Sequence, residues 1–348
     1  MAGRLVRGRS RTHRASLLLT GSALAVLALI GCSGSSAPAA ASGAGTTTAT
    51  STTTSTTTAG PATSTTTGAA TVTTATSSSA SSAMGSGGGR LPVSKLIVFV
   101  VENHSLAQMR AQMPYTYRLA RTYGYATSYF GVTHPSLPNY LAIASGSTHG
   151  VTTDKPPAEV PVGGPTVFGR AIAAGRTAAV YADAMPVNCG LVSSGRYAVK
   201  HNPWAYFSQE RALCRKHDLP VSALGPAVDA GTLPNAAMVV PDLCHDAHNC
   251  SLATADRWFQ GWMTRIEAGP DWRSGRLAVV LTADEDDKTA GNRVLTVVAH
   301  PSQQHRVVTA RLDHYSLTRL YAEVTRTTPL GRAQTARSMA VAFDLPLP

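Results

Sequence analysis

One serine set between prolines carries the clearest chemical promise in this chain. In Thr133-His134-Pro135-Ser136-Leu137-Pro138-Asn139-Tyr140 the prolines suit the first turn of a helix, Leu137, Tyr140, Leu141 and Ala144 give it an inward face, and Gly146 supplies a stop. A hydroxyl at a helix N-terminus lies where unpaired N–H groups and the helix dipole favour an anion, which makes Ser136 a candidate nucleophile towards a phosphate. Taken alone, the same pattern also describes a plain N-cap serine. Glu102 and Asn103, and far along the chain Asp284 and Glu285, offer only oxygen donors. That set suits one divalent metal cation, Mg²⁺, Ca²⁺ or Mn²⁺ in preference to zinc. Beside Ser136 such a cation would lower the hydroxyl pKa and offset charge on a phosphoryl oxygen. Histidines fall in three stretches, Lys200-His201-Asn202, Cys244-His245-Asp246-Ala247-His248-Asn249-Cys250 and Asp313-His314. A histidine can donate to phosphate oxygens or protonate a leaving alkoxide, with a nearby acid fixing its tautomer. His248, two residues after Asp246, is the candidate for that task, and the role of His245 stays open.

Four apolar runs must position these groups: Leu96 to Val101, Thr177 to Tyr181, Ala237 to Val240 and Leu277 to Leu281. Each reads as a strand buried on both faces, and each is followed closely by an acid. Helix-like segments at Met109 to Tyr123, Val167 to Ala174 and Ala253 to Ala268 alternate with them. Alternation of this kind predicts an α/β fold with a mainly parallel central sheet flanked by helices. Ligand sites of such sheets lie beyond the carboxyl ends of the strands, where these acids fall.

The organisation around this core divides into three parts. Residues 1–32 carry Arg4, Arg7, Arg9, Arg11 and Arg14 and an apolar run that ends in Leu29-Ile30-Gly31-Cys32, the pattern of a lipoprotein signal whose lipidation site is Cys32. A plain signal peptide with an incidental cysteine is the alternative. Residues 33–89 are almost all Ser, Thr, Ala and Gly, too poor in apolar side chains to offset their ordering entropy, and read as a disordered linker. Residues 90–348 are long enough for one sizeable core. The expected location is extracytoplasmic, lipid-anchored to the membrane or released to the cell surface. Without the five leader arginines, 25 basic residues face 19 acidic ones. That modest excess suits anionic substrates, and no basic run with interleaved aromatics points to nucleic acid. Cys189, Cys214, Cys244 and Cys250 in an exported chain point to two disulfides in one of three pairings, of which Cys244 with Cys250 across a tight loop, leaving Cys189 with Cys214, is favoured; a zinc site is the competing reading, against which the spacings speak.

The motifs Glu102-Asn103-His104-Ser105, Thr133 to Gly146, Tyr197 to Trp204, Asp246-Ala247-His248, Asp284-Glu285-Asp286-Asp287 with Asn292, and His314-Tyr315-Ser316-Leu317 resemble, in order, those of the bacterial phosphoesterase family. That family comprises acid phosphatases and phospholipases C of the phosphatidylcholine type. The resemblance implies an alkaline-phosphatase-like fold, a metal held by Glu102, Asn103, Asp284 and Glu285, and a phosphoseryl intermediate on Ser136. It also implies that Asn139, His201 and His134 meet the phosphate, with Asp246, Asn292 and His314 at motif positions that act from further out. Ala283, Asn249, His300 and Tyr321 depart from the family pattern, none at a proposed ligand position. The expected activity is hydrolysis of phosphate monoesters on a small phosphorylated substrate or a phospholipid headgroup, by a monomer. A phospholipase C-type phosphodiesterase is the alternative enzyme, and a non-catalytic surface binding lipoprotein the alternative outside enzymes.

Overall fold

The computed structural model describes residues 91–348; the leader with Cys32 and the linker lie outside the described residues. Nine strands form one sheet: β1 (Lys95–Val101), β2 (Gly124–Phe130), β3 (Ala178–Ala182), β4 (Asp218–Pro220), β5 (Ala236–Val240), β6 (Leu277–Ala283), β7 (Arg293–Ala299), β8 (Arg306–Val308) and β9 (Leu312–Asp313). Their order is β4-β3-β5-β1-β6-β7-β2-β8, with β9 also paired to β2. The four apolar runs are β3, β5, β1 and β6, side by side and parallel. Leu96 to Val101 are buried without interruption. Because neighbouring residues of a strand face opposite ways, helices must cover both faces there. Only β7 runs against its neighbours β6 and β2, so the sheet is mainly parallel with one reversed strand.

The helices are α1 (Leu106–Gln112), α2 (Pro114–Thr122), α3 (Ser136–Ser145), α4 (Val167–Ala173), α5 (Arg211–His217), α6 (Leu224–Asp229), α7 (Leu252–Ala268), α8 (Pro270–Arg273), α9 (His314–Thr325) and α10 (Met339–Phe343). The segment expected as one helix over Met109 to Tyr123 is two. Pro114 cannot donate to the turn before it, so α1 closes at Met113 and the proline opens α2 as its first residue. Helix α3 is buried along its whole length, not on one face. It packs on α9, whose Thr318 Oγ1 donates to the Ala142 carbonyl at 2.7 Å. Gly146 ends α3 at φ 73°, where a Cβ would also sit 2.2 Å from the Leu330 carbonyl oxygen, so both backbone and space require glycine. Both disulfides are present as paired, Cys189–Cys214 and Cys244–Cys250. Among the described residues no helix is long and apolar enough to cross a membrane.

Candidate active site

Strands β1 and β6 pair in parallel up to Val101 opposite Ala283, so Glu102-Asn103 and Asp284-Glu285 leave the sheet side by side. The Asp284 amide donates to the Val101 carbonyl at 3.0 Å, and the Asn103 amide donates to Asp284 Oδ1 at 3.1 Å. Asn103 takes φ 53°, a left-handed conformation that asparagine tolerates better than most residues. Opposite them Ser136 opens α3. It is not the cap: Pro135 holds that place, and the Ser136 hydroxyl is turned outward to donate to Glu102 Oε2 at 3.0 Å, with Glu285 Oε1 at 3.5 Å. The amide at the helix N-terminus is not left open either, because Leu137 N–H donates to Asp154 Oδ1 at 2.9 Å. A protein carboxylate thus occupies the place where the helix end was expected to receive the anion.

The charge balance around Ser136 is lopsided. Glu102, fully buried, would be raised by desolvation, but His201 together with Tyr140 and Lys200 holds it below the usual carboxylate range. Asp284 is pushed well above that range by burial and then by the charges of Glu102 and Glu285, and its Oδ2 is buried without a hydrogen-bond partner. Glu285 is lifted to about 8 by burial and by Glu102. Buried carboxylates that raise one another's proton affinity, one with an orphaned oxygen, are a condition that a cation relieves, and oxygen donors of this kind suit a hard divalent ion. Glu102, Asn103, Asp284 and Glu285 carry the donor types of the metal-holding role read from the sequence, while the closely grouped ligand atoms around Glu102 are those of His201 and Asp246.

A second layer is organised by His201, whose Nε2 lies 3.1 Å from Glu102 Oε2 and whose Nδ1 lies 3.1 Å from Asp246 Oδ2. Burial pulls its pKa down, yet the two carboxylates outweigh this and raise it to about 9, so it is an imidazolium that orients Glu102. Tyr140 stacks on its ring at 5.2 Å and donates its hydroxyl to Glu102 Oε1 at 2.5 Å. Asp246 is fixed by the turn that the Cys244–Cys250 bridge closes, and it accepts the His248 amide at 2.7 Å. His248 itself is exposed, with Nε2 3.4 Å from the Lys200 ammonium. Lys200 stays protonated: burial disfavours its charge, but Glu102 and Asp154 more than compensate.

The remaining predicted residues hold loops together. Asn139 accepts the amides of Val132 and Thr133 and donates to the Thr133 carbonyl and to Glu285 Oε2 at 3.1 Å, so its amide shapes the approach to Ser136. His134 lies 3.0 Å from Glu285 Oε2 and 3.2 Å from Asp286 Oδ1. Asn292 accepts from the Asp286 amide and donates to the Thr133 carbonyl, joining the acidic loop to the serine loop. Between them Gly131 leaves no room for a side chain, since a Cβ there would stand 2.6 Å from the Asp284 carbonyl oxygen. His314 donates Nε2–H to the Asp284 carbonyl and accepts the Tyr129 hydroxyl at 3.1 Å. Burial lowers its pKa to about 4, so it is a neutral ring that fixes the Asp284 backbone.

Three participants escape sequence reading: Asp154, Lys200 and Tyr140. Tyr140 sits one turn after Ser136, where it reads as core, and Lys200 adjoins His201 but no strand end points to it. Asp154 comes from an irregular segment with no periodic signal. Asn103, Ser136, Asp154, Lys200 and Glu285, with the 286–288 loop, line a cleft of about 230 Å³. His245 faces a different neighbour, with Nδ1 2.7 Å from Asp183 Oδ2.

Residues 99–324 match the sequence profile of the Phosphoesterase family. A phosphatidylinositol-3-phosphatase of Mycobacterium tuberculosis is 31% identical over 234 residues, which cover 65% of this chain and 75% of that protein. A phosphate-repressible acid phosphatase of Penicillium chrysogenum is 26% identical over 172 residues, 46% of this chain but only 40% of its own length. Among solved structures, a protein in the alkaline phosphatase superfamily from Vibrio parahaemolyticus superposes with TM-score 0.46 at 11% identity, covering 72% of this chain and 71% of that one.

Proposed function

The chain belongs to the phosphoesterase family and is a phosphoric ester hydrolase, and from that premise we propose that it hydrolyses phosphate monoesters by a metal-assisted serine mechanism of the acid phosphatase type. The observation that carries this reading is the Ser136 hydroxyl, suspended 3.0 Å from Glu102 and 3.5 Å from Glu285 at the cleft. Glu102, Asn103, Asp284 and Glu285 would hold a divalent cation, which would supply Lewis acidity at the reacting centre. Ser136 gives up its proton to water and its Oγ attacks phosphorus, with Glu102 held in place by His201 and Tyr140. Lys200 faces the cleft and offsets charge on the transferring group. The bond from phosphorus to the leaving oxygen breaks while His248 gives that oxygen a proton. Water then attacks the phosphoserine, releasing phosphate, and Oγ recovers its proton.

The substrate is a small phosphate monoester, and the mycobacterial relative's name adds a phosphoinositide to the candidates. The location is extracytoplasmic, with the catalytic part carried on the 33–89 linker from a lipid anchor at Cys32. Two disulfides suit that oxidising setting. The test is turnover of a chromogenic phosphate monoester and the matching diester by the full chain, with and without chelator, beside Ser136→Ala. Monoester turnover lost both on chelation and in the variant is the expected result. Cleavage of the diester alone replaces the proposal with the phosphodiesterase, and cleavage of neither by folded protein replaces it with a binding protein.

A further inference from the structure

A second depression, of about 550 Å³, adjoins the cleft, and of its lining only Lys200 and His248 take part in the steps above. Its size is within the range of roughly 300–1,000 Å³ usual for small-molecule sites. Asp154 and Lys200 line both hollows, so the cleft and this groove are continuous across the Lys200 side chain. Pro156, Val192, Val199 and Leu243 give the groove its apolar walls. The polar side chains among them are spent elsewhere: Ser193 Oγ accepts the Val199 amide at 3.0 Å, and the Tyr197 hydroxyl donates to the Gly190 carbonyl at 2.7 Å. What faces the hollow is therefore mostly hydrocarbon. On the loop that forms its lip, Val187, Leu191 and Val192 are 63%, 38% and 72% exposed, a local concentration of large apolar side chains in water.

Both walls are held firmly. Cys189–Cys214 anchors the lip loop, Cys244–Cys250 anchors the opposite wall, and the Leu243 amide ties the two by donating to the Arg196 carbonyl at 2.9 Å. A preformed apolar groove binds without first paying to order its walls. Its opening towards the serine is marked by Lys200 and His248, whose Nζ and Nε2 are 3.4 Å apart.

We propose that this groove receives the leaving group of the substrate, and that the preferred substrates are phosphate monoesters of apolar alcohols, alkyl or aryl. The assignment rests on the phosphatase reading. With the phosphoryl group at Ser136, the ester oxygen lies towards Lys200 and His248 and the carbon body continues along Val199 and Leu243.

The test uses the full chain with a supporting divalent cation and a series of n-alkyl phosphates from ethyl to hexyl, whose leaving oxygens are nearly equal in basicity. In the native protein kcat/KM rises at least about tenfold from ethyl to hexyl phosphate, the direction expected when added methylenes leave water. Val192→Asn, at an exposed position that does not endanger folding, and Leu243→Asn each cut that ratio at least about threefold and keep ethyl phosphate within about twofold of native. A flat series in the native protein, or a rise unchanged in both variants, overturns the groove assignment while ethyl phosphate turnover keeps the phosphatase. Absence of turnover on every ester overturns both.

Discussion

Asp183 and Asp242 follow β3 and β5 just as Glu102 and Asp284 follow β1 and β6, and all four acids stand on one edge of the sheet. The two pairs are compensated in opposite ways. At β3 and β5, His245 Nδ1 lies 2.7 Å from Asp183 and 3.3 Å from Asp242, Arg196 Nε lies 2.9 Å from Asp242, and the amides of Cys244 and His245 each donate to Asp242 Oδ1 at 2.9 Å. The imidazole is stacked on Trp258 at 5.3 Å, and Arg196 and His245 meet the charge of both acids, although Asp242 Oδ2, like Asp284 Oδ2, makes no hydrogen bond. At β1 and β6 the cations Lys200 and His201 serve Glu102, while Asp284 Oδ2 has no hydrogen-bond partner and Glu285 is left with raised affinity for a proton. An acid after a buried strand therefore means nothing by itself. What separates a structural rim from a reactive one is whether its negative charge has been met.

The strongest way to break the contrast is Asp284→Asn. It should lower kcat/KM by about 10³-fold through loss of a metal-holding oxygen. In the presence of chelator it should raise the thermal midpoint, because a buried repulsion has been removed. A variant less active and also less stable without metal would show Asp284 to be as structural as Asp242. Next in size is the response to metal itself. Adding a divalent cation at about a hundredfold its Kd to chelated protein should stabilise the native chain by about 2.7 kcal/mol, visible as a rise in midpoint. The rise should vanish in Asp284→Asn and persist in Asp183→Asn; the reverse pattern would move the cation to the other rim.

Asp218, at the start of β4 beyond both pairs, sharpens the point that burial alone can distort an acid. Desolvation lifts it to about 8 against the opposing hydrogen bond from Asn202. The unfolded chain loses that proton near pH 4, whereas the folded chain keeps it to about 8. The native state thus binds more protons across that window, and stability should fall as pH rises from about 4 to 8 and then level off. Denaturant unfolding at several pH values, repeated on Asp218→Asn, should show the slope flattened in the variant. The smallest effect is expected at the satisfied rim. His245→Ala should change kcat/KM less than about threefold and lower the midpoint by a few degrees, about 1–2 kcal/mol. A loss approaching that of Asp284→Asn would place His245 in the chemistry.

Much of this site was legible from residue order. Continuous apolar runs mark buried strands wherever they occur, so β1, β3, β5 and β6 and the acids behind them could be read directly, as could the start of α3 from its prolines and its stop from Gly146. The reversed strand β7 and the irregular β2, with its register shift between Ala126 and Tyr129, lay outside those runs. Residue types also offered oxygen donors of the kind that suit a hard cation and a serine of nucleophilic type, because hardness and nucleophilicity belong to the side chains themselves.

Compensation could not be read in that way. Whether an acid meets a cation depends on partners from other segments: Lys200 and His201 approach Glu102, Asp154 takes the Leu137 amide, and Arg196 and His245 quench the neighbouring rim. Those partners sit in turns and irregular stretches, where no hydrophobic period reports which way a side chain points. Nucleophile and ligand types are local properties and survive in the one-dimensional chain. Charge balance and the apolar groove beside the cleft are sums over distant residues, and such sums exist only once the strands have set their ends side by side.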